Sequence, residues 1–257
     1  MPSKLPRFSS KLKNLKLTLE YDGSSFFGFQ RQKEKPTIQQ AVEKALSRLL
    51  NQPTKISAAA GRTDSGVHAL GQVVNFKTDS KLSISQIQKG INALLPKAIA
   101  VKKAEAVPLD FHARYGAQWK IYEYKILNSP IRSPLINGKA YQYPHSLNLS
   151  AIKKAARFLA GRHDFKVFQA AGSNVKSSVR TIRRLEIKKT GPLLSFQIEA
   201  DGFLYHMVRN IVGTLLEIGR GKLSVQELPR LLKAGDRSLA GPTLPSQGLT
   251  LISVKYR

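Results

Sequence analysis

The chain has 257 residues, of which 42% are hydrophobic and none is cysteine. Its 42 lysines and arginines, against 16 aspartates and glutamates, give a formal net charge of +26. This composition excludes disulfides, thiol catalysis and cysteine-ligated metals, and no apolar run approaches the roughly 20 residues that a membrane-spanning helix needs.

Residues 1–13 are basic and polar, and the sequence predicts that they form a solvated tail. They lack the apolar segment of a secretory signal. Together with the absence of cysteine, this predicts a cytoplasmic protein that does not associate with membranes. An organellar presequence rich in lysine and serine is the alternative interpretation.

The first half of the chain, residues 14–109, is predicted to have the element order β-α-β-β-α-β. Alternating apolar and polar residues indicate strands, and apolar faces at helical spacing behind capping boxes indicate helices. The strands are 15–21, 55–60, 67–78 and 99–107, and the helices are 37–50, with Thr37 and Gln40 as its capping box, and 83–95, with Ser83 and Gln86.

The second half, residues 110–257, is predicted to repeat this order with one additional helix. The segment between 179–189 and 193–200 contains a tight turn, which predicts a hairpin. The strands are 120–127, 179–189, 193–200 and 249–256, and the helices are 150–161, with Ser150 as N-cap and Gly161 at its end, 203–219, and the additional 224–235, with Ser224 and Glu227 as its capping box.

The repeated element order predicts an α+β fold built of two ferredoxin-like (βαββαβ) halves. Joined edge to edge, the two sheets would form one broad, mainly antiparallel sheet with a central cleft and an open basic floor. A single α+β domain with an accidental internal resemblance is the alternative.

The positive charge is spread over the whole chain rather than confined to a tail. A folded surface that binds the phosphate backbone of a nucleic acid explains this distribution best. A surface adapted only for solubility is the alternative, because net charge by itself does not distinguish the two.

The segment "GRTDSGVHALG" (61–71) places a carboxylate in a glycine-flanked loop between two predicted strands. Gly61 and Gly66 allow backbone angles that other residues avoid, and they let a ligand approach closely. Arg62 would favour the ionised form of Asp64 and could hold a phosphate. The loop therefore predicts a nucleophile or base acting on a sugar or nucleobase, with an Asx-type turn as the purely structural alternative.

Other chemical motifs do not fit. "GRGKLS" (219–224) lacks the glycine and the hydroxyl residue of a phosphate-binding loop, and the five histidines lack zinc-site spacing. "DSG" (64–66) also occurs in aspartic proteases, but these need two carboxylates that share a proton, and the motif occurs once here.

Several blocks of the sequence resemble, in order, those of the tRNA pseudouridine synthase A (TruA) family. The resemblance extends from about Leu15 to the end of the chain. The blocks are "LEYDGSSFFGFQRQ" (19–32), "GRTDSGVHA" (61–69), "INALLP" (91–96), "FHARYGAQWKIYEYKI" (111–126), "HDFKVFQAAGS" (163–173), "VRTI" (179–182), "GFLYHMVRNIVGTLLEIGRG" (202–221) and "GLTLISVKY" (248–256).

The resemblance implies an isomerase that converts uridine to pseudouridine at positions 38, 39 and 40 in the anticodon arm of tRNA. It implies a homodimer that needs no cofactor and no metal. Asp64 matches the essential aspartate, which attacks C1′, adds to the uracil ring or removes the C2′ proton. Tyr122 matches the aromatic residue that stacks on the target base, with a possible role in proton transfer at C5. Arg209 matches a basic residue that pairs with the aspartate, and Arg62 matches the arginine that helps to hold the flipped nucleotide.

The sequence departs from the usual family pattern at a few positions outside this set. The departures are Phe29, Lys166, Val167, Ser178 and Ser246. They leave the expected activity intact but make the preference among the three tRNA positions an open question. A non-catalytic RNA-binding protein or RNA chaperone on the same fold is the alternative function.

Overall fold

A computed structural model describes residues 12–172 and 175–257. The predicted tail therefore lies almost entirely outside the described residues. The first half contains β1 (Lys13–Tyr21), α1 (Ile38–Leu50), β2 (Ala58–Ala59), β3 (His68–Thr78), α2 (Ile84–Leu94) and β4 (Ile99–Val107). The second half contains β5 (Trp119–Leu127), β6 (Tyr141–Gln142), α3 (Leu149–Ala156), β7 (Gly161–Asp164), β8 (Val179–Thr190), β9 (Leu193–Ala200), α4 (Met207–Gly219), α5 (Glu227–Ala234) and β10 (Leu249–Lys255).

The ten strands of the described residues belong to one sheet, in the order β4-β1-β3-β10-β5-β9-β8-β7, with β2 beside β3 and β6 beside β5. The two halves use the same spatial arrangement, β4-β1-β3-β2 in the first and β10-β5-β9-β8 in the second. Most strand pairs are antiparallel, and β3 with β10 and β5 with β6 are parallel. The predicted α+β fold with one broad, mainly antiparallel sheet is therefore confirmed, whereas the predicted boundary between residues 109 and 110 stays a prediction.

The two halves meet where β3 and β10 pair in parallel. Only two residue pairs form this contact, Thr250 with His68 and Leu251 with Ala69. On its other side, Leu251 pairs with Tyr122 of β5. The start of β3 and the middle of β5 are thus separated by a single strand.

The sheet and its helices share one hydrophobic core. Alternate residues of β1 are fully buried, which matches the period of a strand that has one face against a helical layer. Helix α4 is buried on most sides, as its nearly continuous apolar sequence predicts. The core includes Leu15, Leu17 and Leu19 of β1, Val42 and Leu46 of α1, Ile87 and Ile91 of α2, and Ile211 and Leu215 of α4.

Two helix starts are predicted correctly, because their caps are local. Thr37 accepts a hydrogen bond from the backbone N–H of Gln40, and Ser83 and Gln86 form a complete capping box. The prediction of β2 as residues 55–60 is too long, since only two residues pair with β3.

Three other helix boundaries differ from the prediction. Helix α3 is capped by Asn148, whose side chain accepts from Ala151 N at 3.0 Å, and not by Ser150. It ends before Gly161, which begins β7. Helix α5 begins at Glu227, whose carboxylate accepts a hydrogen bond from Ser224 N in the preceding turn.

Helix α4 begins four residues later than predicted, at Met207. The preceding residue, His206, has a left-handed backbone (φ +60°), which interrupts the helix although the sequence remains apolar. The segment before α4 thereby becomes an irregular wall beside the junction of the two halves.

Candidate active site

Asp64 lies in the loop between β2 and β3, and this loop is fixed from several sides. The hydroxyls of Tyr21 and Thr63 are hydrogen-bonded at 2.8 Å in the protein interior. Phe29 N donates to Thr63 O at 3.0 Å, and Gln72 Nε2 donates to Gly61 O at 2.9 Å. The loop is therefore a rigid support for the Asp64 carboxylate rather than a solvated turn.

The two loop glycines, Gly61 and Gly66, differ in backbone conformation and in the atoms that a side chain would contact. Gly66 has φ +77°, and a methyl group added there would lie 2.7 Å from the Ser246 hydroxyl. The backbone of Gly61 is not left-handed, so the prediction that it needs special angles is wrong. An added methyl group at Gly61 would instead approach the Tyr122 hydroxyl at 3.9 Å and Lys120 Nζ at 4.0 Å. Ser246, one of the departures from the family pattern, thus borders this loop.

Two basic groups approach the Asp64 carboxylate. Arg209 Nη1 and His206 Nε2 each lie 3.5 Å from Asp64 Oδ2. Burial raises the pKa of Asp64, and the charges of His206 and Arg209 oppose this rise. The side chain keeps 26% of its accessible surface, so it faces the cleft and is not sealed in the core.

Arg209 is aimed at Asp64 from the first turn of α4. Its Nε donates to the carbonyl of Leu244 at 2.6 Å, which fixes the guanidinium plane. Only 14% of its side chain is exposed. Because α4 supplies this residue, the helical layer as well as the sheet contributes a charged group beside Asp64, and the expected open basic floor stays a prediction.

Tyr122 projects from β5 toward the same loop. It is almost completely buried, and its ring meets the Phe203 ring edge to face at a centroid distance of 4.9 Å. Burial raises the pKa of Tyr122 well above its ordinary value, and the nearby charges of ionised Tyr21 and Asp64 raise it further. The phenol therefore stays protonated throughout the neutral pH range.

The sequence suggested that Arg62 stabilises the ionised form of Asp64, but the structure places its side chain away from that carboxylate. It is exposed and lines the cleft. Within residues 12–172 and 175–257, no ion pair joins it to Asp64, and the charges that act on this carboxylate come from His206 and Arg209. Arg62 is available to a ligand but does not neutralise the aspartate.

His206 is a site residue that sequence reasoning missed. Its ring packs on that of Tyr205 at 3.8 Å, and burial lowers its pKa. The apolar run from 203 onward predicted an unbroken helix, which placed His206 on a helix face instead of at the N-cap. The family block that contains it, "YHMVRN", was the available signal.

The cleft around Asp64 has a volume of about 1070 Å³, enough for a nucleotide. Its walls come from both halves of the sheet and include the exposed ring of Phe27. Among the described residues there is no group of histidines and carboxylates that could hold a metal ion. None of the helices in the described part of the chain is long and apolar enough to cross a membrane.

The repeated α+β architecture with one broad, mainly antiparallel sheet is the fold that the sequence predicted for a pseudouridine synthase. A family model described as tRNA pseudouridine synthase matches residues 18–116 and 155–257. The chain therefore belongs to the tRNA pseudouridine synthase family.

Three relatives, each named tRNA pseudouridine synthase A, are similar over almost their whole length. The protein of Acetivibrio thermocellus is 42% identical over 245 residues, covering 95% of this chain and 100% of the relative. That of Ruminiclostridium cellulolyticum is 43% identical over 246 residues, with coverages of 95% and 100%. That of Geobacillus kaustophilus is 45% identical over 243 residues, covering 94% of each chain.

Proposed function

We propose that this protein isomerises uridine to pseudouridine in tRNA, at positions 38, 39 and 40 of the anticodon arm. The observation that carries the proposal is the placement of Asp64 in a cleft between Arg209 and His206, with Tyr122 facing the same loop. The family membership and the three relatives support the same reaction.

The target nucleotide must leave the helical stack before its glycosidic bond is reachable, which costs a few kcal/mol. The cleft volume accommodates the extruded nucleotide, and stacking on an aromatic ring such as Tyr122 would return roughly 1–3 kcal/mol. Arg62, exposed in the cleft wall, would hold the phosphate of this nucleotide.

Asp64 then acts on the extruded nucleotide as a carboxylate. It attacks C1′, adds to the uracil ring or removes the C2′ proton, and each of these roles needs the ionised form. Arg209 and His206 favour this form against the cost of burial. The reaction breaks the N1–C1′ bond and forms the C5–C1′ bond, and C5 loses a proton while N1 gains one. Because it exchanges no electrons and adds no atoms, we propose that no cofactor takes part.

We further propose that the protein is a cytoplasmic homodimer and that each tRNA contacts both subunits. The net charge of +26 supports a large phosphate-binding surface. Sedimentation of the free protein and of its tRNA complex tests the dimer. A monomer at micromolar concentration, both free and RNA-bound, would contradict it.

The decisive experiment maps pseudouridine, by carbodiimide labelling or mass spectrometry, in unmodified tRNA after incubation with purified protein. We expect new pseudouridine at positions 38, 39 and 40 only. If tRNA binds tightly but all of its uridines remain unchanged, the protein is an RNA-binding module and the proposed reaction is wrong.

A further inference from the structure

Lys120 stands on the same strand and the same side as Tyr122, two residues before it. Its Nζ lies 4.0 Å from the position that a β-carbon of Gly61 would occupy, and the Tyr122 hydroxyl lies 3.9 Å from that position. The ammonium and the phenol thus face the first residue of the loop that carries Asp64. Lys120 also lines the cleft.

The charges around Lys120 are predominantly positive. The charges of Arg114, from the turn before β5, and Arg180, from β8, disfavour the protonated form of Lys120, and the charge of Asp201, which follows β9, favours it. The Asp201 carboxylate accepts a hydrogen bond from Thr181 N through its Oδ1 at 2.9 Å. In the described part of the chain, no carboxylate lies within 4.0 Å of Lys120 Nζ.

This arrangement is costly for the free protein. Burial, followed by Arg114 and Arg180, lowers the pKa of Lys120 to about 8. A partly buried cation without an ion-pair partner, next to two further cations, is normally avoided. An anion bound at this wall of the cleft would offset the excess of positive charge.

Of the two arginines, Arg180 is held in place by its own backbone, and Arg114 contacts an aromatic ring. Arg180 Nη1 donates to the carbonyls of Ser177 at 2.9 Å and Val179 at 2.6 Å. The Arg114 guanidinium lies over the Tyr115 ring at 5.8 Å. The position of Arg180 is therefore prearranged, which lowers the ordering cost of binding.

We propose that Lys120, with Arg114 and Arg180, forms a binding site for a backbone phosphodiester of the RNA. The phosphate belongs to a nucleotide next to the one that enters the Asp64 cleft. This inference rests on the proposed function for the identity of the ligand. It gives Lys120 a binding role separate from those of Arg62 and Arg209.

The test compares Lys120→Gln and Lys120→Arg with Lys154→Gln, an exposed lysine on α3. Binding of an anticodon stem-loop is measured against salt concentration. We expect Lys120→Gln to weaken binding about tenfold and to lower the log–log salt slope by about 0.7–0.9, the value of one phosphate contact. Lys154→Gln should leave both quantities close to those of the wild type. Unchanged affinity and salt slope in Lys120→Gln would overturn the proposal.

The pH dependence gives a second readout. Between about pH 6.5 and about pH 9.5, Lys120 loses its proton in the free protein, so wild-type affinity should fall more than that of Lys120→Arg, whose charge persists. Equal pH dependence of the two proteins would contradict the proposal.

Thermal unfolding separates a binding role from a structural one. Without RNA, Lys120→Gln should melt at the same or a higher temperature than the wild type, because the unpaired charge is removed. A fall in melting temperature that accounts for the loss of affinity would overturn the proposal.

The phosphate itself is located with stem-loops that carry a single neutral methylphosphonate at successive positions. At one position, next to the target uridine, the difference between wild type and Lys120→Gln should disappear. If no position has this effect and inorganic phosphate alone protects Lys120 from acylation, the site binds free phosphate instead. Pseudouridine formation by wild-type protein is assayed in parallel, so failure of the proposed reaction is distinguished from failure of this site.

Discussion

Asp64 Oδ2 lies 3.5 Å from Arg209 Nη1, although 145 positions separate the two residues in the chain. The loop after β2 supplies the carboxylate, and the first turn of α4 supplies the guanidinium. Each partner is fixed by its own backbone contacts, Asp64 through its loop and Arg209 through Leu244. The distance between the two side chains therefore depends on how the two halves of the sheet are positioned relative to each other.

Replacement of Asp64 with Asn should abolish pseudouridine formation, by at least about a thousandfold, because an amide is neither nucleophile nor base. Binding of tRNA should change little, since phosphate contacts dominate affinity. Single-turnover assays and equilibrium binding measure the two quantities. Appreciable residual turnover in the variant would contradict the role of Asp64.

The same variant should be more stable than the wild type at neutral pH. Burial raises the pKa of Asp64, so the ionised carboxylate lowers the free energy of unfolding of the wild type. This loss of stability is fully present above the pKa of Asp64 in the folded protein. It disappears as the pH falls below the pKa of Asp64 in the unfolded chain. Denaturant unfolding at about pH 7 and about pH 3 should therefore show that the difference in free energy of unfolding between the variant and the wild type narrows at acid pH. If this difference widens on acidification, folding does not raise the pKa of Asp64.

Replacement of Arg209 with Gln should shift the acid limb of the activity profile to higher pH. The guanidinium helps to keep Asp64 ionised against burial, so its loss raises the pKa of Asp64 further. Activity that requires the carboxylate is lost as pH falls through that pKa. The measurement is kcat against pH at saturating tRNA, and an unshifted limb would show that the pairing has no electrostatic role.

His206 can be tested for backbone strain and for side-chain function separately. Its φ of +60° suits glycine, so His206→Gly should be about 1 kcal/mol more stable than His206→Ala. Both variants lose the imidazole beside Asp64, and both should lose activity to a similar extent. If only the alanine variant is impaired, the imidazole is dispensable and the effect of the mutation is structural.

Gly66→Ala should destabilise the protein by about 1–3 kcal/mol, because φ of +77° is unfavourable for alanine. Part of this cost arises from the Ser246 hydroxyl, 2.7 Å from the added methyl group. The double variant Gly66→Ala, Ser246→Ala should recover that part only. Gly172→Ala, at a similar φ but with no atom of the other described residues within 4 Å of the added methyl group, provides the matched control.

Tyr122→Phe distinguishes stacking from proton transfer. The ring and its contact with Phe203 are retained, and only the hydroxyl near Gly61 is lost. If the hydroxyl moves the C5 proton, the variant should bind tRNA normally but turn over at least about a hundredfold more slowly. Tyr122→Leu, which removes the aromatic face, should additionally weaken binding of the extruded base.

The sequence was sufficient to predict features that depend on neighbouring residues. The capping box of α2 and the alternation of β1 were identified correctly because both are set within a few positions. The N-cap of α3 was misplaced because Asn148 and Ser150 are both good caps and only the tertiary position of the turn selects Asn148. The break at His206 depends on a single left-handed residue within an apolar run.

The site was predicted only in part, because only some of its residues are close to one another in the sequence. The motif around Asp64 is local, but its charge partners come from a distant helix, so adjacency in sequence wrongly suggested Arg62. No spacing rule connects Lys120, Arg114 and Arg180, which lie on three separate segments. Clusters of this kind become visible only in the folded protein.

The two-residue pairing of β3 with β10 also bears on how the protein is made by the ribosome. The strands and helices of the first half are complete once β4 has been synthesised, but β10 follows every other described strand in the chain. Until it emerges, β5 lacks the neighbour that sets Tyr122 beside the loop of Asp64. Nascent chains should therefore be unable to act on RNA until synthesis has passed β10.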